Sequence, residues 1–312
     1  MTYVKIQGVL IFLLFLIDSI WIISSSLEVI YNTSLYIKYM GVTAFLYLVY
    51  LFYTKIRYDA RIGLLFITTI YLIIFTAVAL PLSYLAYTIP NPLMDSTLIT
   101  ADVHLGFNFP ALHTWFLHHD HWNIFFNIIY NSMIFQIIFI FLYFGFFGEE
   151  IYLQRFLMLF MISILPTILL GCYYPAVGPH IWLHYPPPDF LGKAINFLLQ
   201  LRKGVLDLTQ GHGIIEFPSF HTTLALIFLY SFRNENKFLF LFFIILNLLM
   251  VFSTLIQGGH YLIDILGGLY IFLLTLAIEK VVYLSVMKYG TLDFLPSRQI
   301  LFLKKVRGLS DV

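Results

Sequence analysis

Long apolar runs separated by short polar breaks set the pattern of this chain. Eight of them read as candidate spanning helices: 7–24, 38–54, 62–87, 123–147, 155–174, 218–232, 238–256 and 260–285. A helix crossing the hydrocarbon core needs about 20 predominantly apolar residues, and most of these runs reach that length. Two polar-rich stretches interrupt them, 88–122 with several histidines and 175–217 with five of the twelve prolines. The tract "FPALHTWFLHHDHW" (109–122) is too broken to span and reads as an interfacial or re-entrant segment. Residues 1–26 carry Lys5 and an apolar run, but Asp18 interrupts it and no A-x-A site follows. An uncleaved first helix is therefore expected.

Composition sharpens the class. The chain is 61% hydrophobic and 11% charged, whereas a soluble domain carries about 25% charged residues. The pattern predicts an all-α integral membrane protein of about eight transmembrane helices. A formal net charge of +1 gives no reason to expect a nucleic-acid partner, and the single cysteine, Cys172, cannot form an intramolecular disulfide.

Charge gives orientation. If the spans alternate, thirteen of the Lys and Arg residues fall on one side and only Lys38, Lys193, Arg202 and Lys203 on the other. The positive-inside rule makes the first side cytoplasmic, with both termini inside. All ten histidines fall on the opposite side, so the chemistry is expected to face the periplasm, the exterior or a lumen.

The segment "GGHYLID" (258–264) puts His260 and Asp264 at i and i+4, on one face of the predicted helix. A carboxylate one turn away can hold an imidazole in one tautomer, as in catalytic triads. Gly258 and Gly259 leave bare backbone where a phosphate could approach free amides. A His–Asp pair that only ties two helices together would look the same. A second histidine favours chemistry: in "EFPSFHTT" (216–223), Pro218 suits a first turn, Ser219 can cap or bind an anion, and His221 leaves the mouth of span six. Span seven runs back, so His221 and His260 emerge on one face, beside two helix N-termini that favour an anionic guest. Span six is also short: about 14 residues cover roughly 21 Å of a roughly 30 Å core, so its N-terminus lies below the surface.

"PSFH" at 218–221 with "GGHYLID" beginning at Gly258 resembles the type-2 phosphatidic acid phosphatase superfamily, and within it the inositolphosphotransferase (inositol phosphorylceramide synthase-like) branch. Ser253, seven residues before His260, matches the start of that family's third motif, and "YPAVGP" (174–179) and "ADVHLGF" (101–107) are similar to the branch's outer loops. The resemblance covers roughly residues 90–285. It implies a six-helix catalytic bundle and a phosphohistidine mechanism on a lipid phosphoester, with no metal and no cofactor. His260 would be the nucleophile, Asp264 its orienting group and His221 the general acid and then base. Ser219 and nearby amides such as Gly259 would cradle the phosphate. The chain departs from the family in two places: Thr254 stands where an arginine follows the serine, and no Arg-Pro dipeptide occurs. Arg202 and Lys203 in "LRKG", adjacent cations on the histidine side, are the expected replacements, since arginine binds phosphate bidentately and lysine as a point charge.

The domains expected are N-terminal transmembrane helices over 1–87, a catalytic membrane domain over 88–285 and a cytoplasmic basic tail over 286–312. His113, His118, His119, Asp120 and His121 invite a metal reading, but no regular spacing isolates three ligands. Asn123, Asn127 and Asn131 form an i, i+4, i+8 stripe that must face protein or water, as helix–helix glue or as headgroup contact. A transporter is the competing class. It is disfavoured because the ionisable groups cluster at one mouth, without the paired broken helices of inverted repeats.

Overall fold

The computed structural model describes residues 3–148 and 150–289; residues 290–312 of the expected tail lie outside them. Within those residues the chain is helical, and the apolar runs become the long helices. Helix α1 is Tyr3–Ser24, α2 is Thr33–Leu51 with a π-helical turn to Ile56, and α3 is Ala60–Tyr87. The first polar stretch forms two short helices, α4 (Asp95–His104) and α5 (Phe109–Leu117). The long helices α6 (Asp120–Phe146) and α7 (Glu150–Tyr173) follow. The second polar stretch carries α8 (Gly178–Trp182) and α9 (Asp189–Leu201). Helices α10 (Phe220–Phe232), α11 (Lys237–Thr254) and α12 (Leu262–Tyr289) complete the fold. One short parallel pair, Glu28–Ile30 with Val205–Asp207, ties the α1–α2 connection to the segment after α9, a feature not expected from the apolar pattern.

Seven helical segments are long and apolar enough to cross a membrane, and α10 is the shorter eighth. The protein is an all-α membrane protein, as its patterning predicts. Helices α3, α6, α7, α10, α11 and α12 pack on one another, with α10 at the centre. Ile227, Phe228 and Phe232 of α10 are fully buried, and the Phe232 ring stacks on Phe243 of α11 with 4.0 Å between centroids. Helix α1 leans on α3 and α7 through the stripe Tyr3, Gln7, Ile11, Leu14 and Asp18, the three-to-four spacing of one helix face. Helix α2 buries no residue, as expected of a helix whose apolar surface meets lipid.

The end of the bundle remote from the histidines is held by a buried ion pair. Arg155 on α7 donates from Nε and Nη2 to the two carboxylate oxygens of Glu279 on α12, each at 2.8 Å. Tyr3 Oη donates to Glu279 Oε1 (2.6 Å) and Arg155 Nη2 to Tyr230 Oη (3.1 Å), so α1, α7, α10 and α12 meet at one ion pair. Removing one partner would strand the other charge. Glu279→Ala is expected to destabilise the fold by about 3–5 kcal/mol, read as a lowered unfolding temperature in detergent. The double variant Arg155→Met with Glu279→Met is expected to recover most of that loss.

Candidate active site

The site is assembled around the N-terminus of α12. His260 lies in the loop before that helix rather than on it, because α12 begins at Leu262; this corrects the expected i, i+4 helical face. The pairing with Asp264 forms by another route. The Asp264 side chain turns back over the first turn, where Oδ2 accepts the backbone N–H of Tyr261 (2.9 Å) and lies 3.1 Å from His260 Nδ1. An acidic side chain at the third helical position bonding the N-cap amide is half of a capping box. The orienting carboxylate is therefore also part of the helix cap.

The remaining amides of that turn are bound from α4. Asp102 accepts the backbone N–H groups of Leu262 and Ile263, both at 2.8 Å. Asp95, seven residues earlier on the same face of α4, accepts from the Val177 and Gly178 amides and from Tyr261 Oη. The Tyr261, Leu262 and Ile263 amides at the α12 N-terminus are thus taken by the protein's own carboxylates, and the Gly258 amide donates to the Thr254 carbonyl (3.1 Å). Gly259 has a backbone requirement of its own: its φ is +68°, and a Cβ would stand 2.6 Å from Leu191. The glycine pair ending "IDILGG" also has a packing reason. A Cβ on Gly268 would meet the Ser219 carbonyl at 2.5 Å, so α10 and α12 approach closely only because that position is bare.

Ser219 is fully buried and caps α10, its Oγ accepting from the Thr222 amide at 3.4 Å. Of the two expectations for this residue, the structure displays the cap. His221 follows in the first turn, with its ring stacked on Tyr130 of α6 at 4.2 Å between centroids. His221 and His260 line one cavity of about 440 Å³. Its walls are apolar faces of α3, α6 and α7, including Ala79, Ile134, Phe160 and Ile164.

Arg202 and Lys203 do not line this cavity. Helix α9 buries Leu198 and Leu201, which carries the end of the helix towards the α3–α4 connection, where Arg202 Nη2 donates to the Asn91 carbonyl (2.6 Å). Lys203 is exposed. Among the described residues, no lysine or arginine lines the cavity.

Glu216 does line it, and motif reasoning gave it no role. Its Oε2 lies 3.5 Å from His260 Nδ1, so two carboxylates face one ring nitrogen. Burial, then the nearby Asp264 and Asp95 carboxylates, push its pKa well above the ordinary carboxylate range. The signal was an acid two residues before Pro218 in a chain with few acids. Glu216, His260 and Asp264 each offer one ligand atom within 4.8 Å of the others, the donor types a divalent cation accepts. The same three groups also form a histidine held by carboxylates. The 113–121 tract forms no such group among the described residues; there His118 and His119 direct Nδ1 at the Thr114 and Trp115 carbonyls.

Two outcomes follow from this geometry. Asp102→Ala leaves two half-buried amides without an acceptor and is expected to cost about 1–3 kcal/mol, measured by thermal unfolding, with Asp102→Asn milder. The raised Glu216 pKa means that the folded state holds a proton which the unfolded chain releases above the ordinary glutamate value. This contribution to stability is fully present below that value and is lost as pH rises through the folded-state pKa. Glu216→Gln removes the titration, so melting curves from pH 4 upward should show wild type losing stability relative to the variant as pH rises.

No curated protein and no solved structure matches the chain. A family profile described as PAP2 superfamily matches residues 96–278, more than half of the chain, and spans Asp102, Glu216, His221, His260 and Asp264. The chain belongs to the PAP2 superfamily, whose members are generally phosphatases or phosphotransferases acting on lipid phosphoesters.

Proposed function

We propose that this protein transfers phosphoryl groups on a lipid phosphoester through a phosphohistidine at His260, as a phosphotransferase of the inositolphosphotransferase kind. The observation that carries the reading is the single cavity in which two histidines meet a wall of apolar side chains from α3, α6 and α7. Such a space accepts an amphiphile with its phosphoester at the histidines and its hydrocarbon among the helices.

A carboxylate on Nδ1 selects the tautomer with the proton on that nitrogen, leaving the Nε2 lone pair for attack. Nε2 bonds to phosphorus as the bond to the leaving alkoxide breaks. His221, protonated when the anionic phosphate lies beside it, gives that oxygen its proton. An acceptor alcohol, deprotonated by the now neutral His221, then attacks phosphorus and breaks the P–N bond. Asp264 orients the nucleophile. Glu216, carrying its own proton, adds no second negative charge beside the incoming phosphate. The lysine and arginine asymmetry supports a topology with this end of the bundle on the non-cytoplasmic side and both termini inside. Water in place of the acceptor would make the same site a lipid phosphatase.

Purified protein in lipid nanodiscs, given phosphatidic acid or phosphatidylinositol with and without ceramide or diacylglycerol, tests this reading. A new phospholipid formed only with acceptor is the expected product. His260→Ala should abolish it, and His221→Ala should lower the rate by about 10²–10⁴-fold, the range for a general acid–base group. Acid-labile, base-stable radiolabel trapped on wild type but absent from His260→Ala would identify the phosphohistidine. Phosphate release with no transfer product would overturn the transferase in favour of the hydrolase.

A further inference from the structure

Two buried carboxylates converge on one ring nitrogen of His260, and hydrogen bonding satisfies only one of them. Asp264 Oδ2 lies 3.1 Å and Glu216 Oε2 3.5 Å from His260 Nδ1. A ring nitrogen carries at most one proton, which Asp264 takes. Glu216 Oε2 and the second oxygen of Asp264, Oδ1, are buried and have no hydrogen-bond partner among the described residues. Glu216 is 6% exposed and Asp264 0%, so bulk water does not reach them. A buried acceptor left unpaired costs about 1–3 kcal/mol, and two in one cluster point to a guest that takes lone pairs. Such a guest is a cation. Among the described residues no lysine or arginine lines the cavity to compete with it.

The spacing fits a transition metal. Zinc holds imidazole nitrogen and carboxylate oxygen at about 2.0–2.2 Å in a tetrahedron, which sets neighbouring donors about 3.3–3.6 Å apart. The 3.5 Å separation lies in that range and the 3.1 Å separation within about 0.2 Å of it. Donor atoms of all three residues lie within 4.8 Å of one another. An imidazole among the donors suits zinc and its neighbours better than calcium or magnesium, which take oxygen. The Tyr261 amide already orients Asp264 (2.9 Å), as an outer partner orients a metal-bound carboxylate. Glu216 and His260 line the cavity, which supplies the way in.

A cation there has a chemical consequence. Neutral imidazole keeps one proton, and a metal on Nδ1 forces it onto Nε2. That is the reverse of the tautomer needed for attack, in which Nε2 carries the lone pair. Glu216 ligates as a carboxylate, its proton passing to solvent, and Asp264 turns from orienting the ring to holding the metal.

We propose that Glu216, His260 and Asp264 form a site for a divalent cation of the zinc class, and that filling it silences His260 as a nucleophile. The binding stands on the geometry alone; the silencing rests on the phosphotransfer reading above.

The test titrates Zn²⁺ and Co²⁺ into the chelator-stripped full chain in nanodiscs. His118, His119 and His121 could bind metal adventitiously, so wild type is compared with a reference in which all three are alanine. One Zn²⁺ per reference chain, a raised melting temperature and the visible bands of four- or five-coordinate Co²⁺ are expected. Adding Glu216→Gln, which keeps both other ligands, should weaken Zn²⁺ at least about 100-fold, beyond the usual 10–100-fold effect of an outer partner. No Zn²⁺ bound by wild type or reference, or equal affinity in Glu216→Gln, overturns the site. Lipid turnover should fall in proportion to occupancy and return with chelator. Turnover that requires Zn²⁺, or ignores a filled site, overturns the silencing. If no lipid gives His260-dependent product, the silencing falls with the phosphotransfer reading, and the titration still decides the site.

Discussion

The first turn of α12, where Tyr261 and Asp264 are buried, has backbone amides that need acceptors, and this requirement organises the molecule around that helix. Asp102 and Asp264 supply the acceptors, one from a neighbouring helix and one from within the turn. In a water-poor interior each unmet amide would cost as much as a lost hydrogen bond or more. The residues meeting the requirement are also those that place His260. Asp264 holds its imidazole, Tyr261 is anchored to Asp95, and Asp95 binds the 177–178 turn beside the loop. Capping the helix end and positioning His260 are the same event.

The two ends of the bundle handle buried charge differently. At one end a carboxylate meets a bidentate arginine and one tyrosine, and a second tyrosine accepts from the arginine, so both charges are paired. At the other, Asp95, Asp102, Glu216 and Asp264 gather with no lysine or arginine on the cavity wall. Backbone amides satisfy three of these carboxylates, and burial pushes Glu216 towards its protonated form. The consequence for chemistry is direct. On the proposed reading, an anionic phosphoryl group would enter a site whose negative charge is spread over hydrogen bonds or lessened by protonation.

Much of this was legible in the order of residues. Apolar runs of spanning length gave the helices, because lipid demands internally satisfied backbone and rewards only apolar side chains. The histidines of "PSFH" and "GGHY" stood out because ionisable groups at the mouths of such helices are costly without a purpose. The asparagine stripe was visible as a helical period that could not face lipid. Asp95 and Asp102 were not: they sit in a polar stretch where acids are unremarkable, and their partners are backbone amides about 80 and 160 positions away. Arg202 and Lys203 looked like phosphate ligands by elimination, but the amphipathic face of α9 decides where that segment goes.

The sequence by itself determined an all-α membrane bundle, two histidines on one face and a nearby aspartate, since these follow from hydropathy, period and local spacing. Only the tertiary structure decided that Glu216 joins them, that the α12 amides are already occupied, and that Asn131 lines the histidine cavity. Those outcomes depend on where separate helices cross. Crossing is set by side-chain packing and bare glycine surfaces summed over the whole bundle, which no short stretch of sequence encodes.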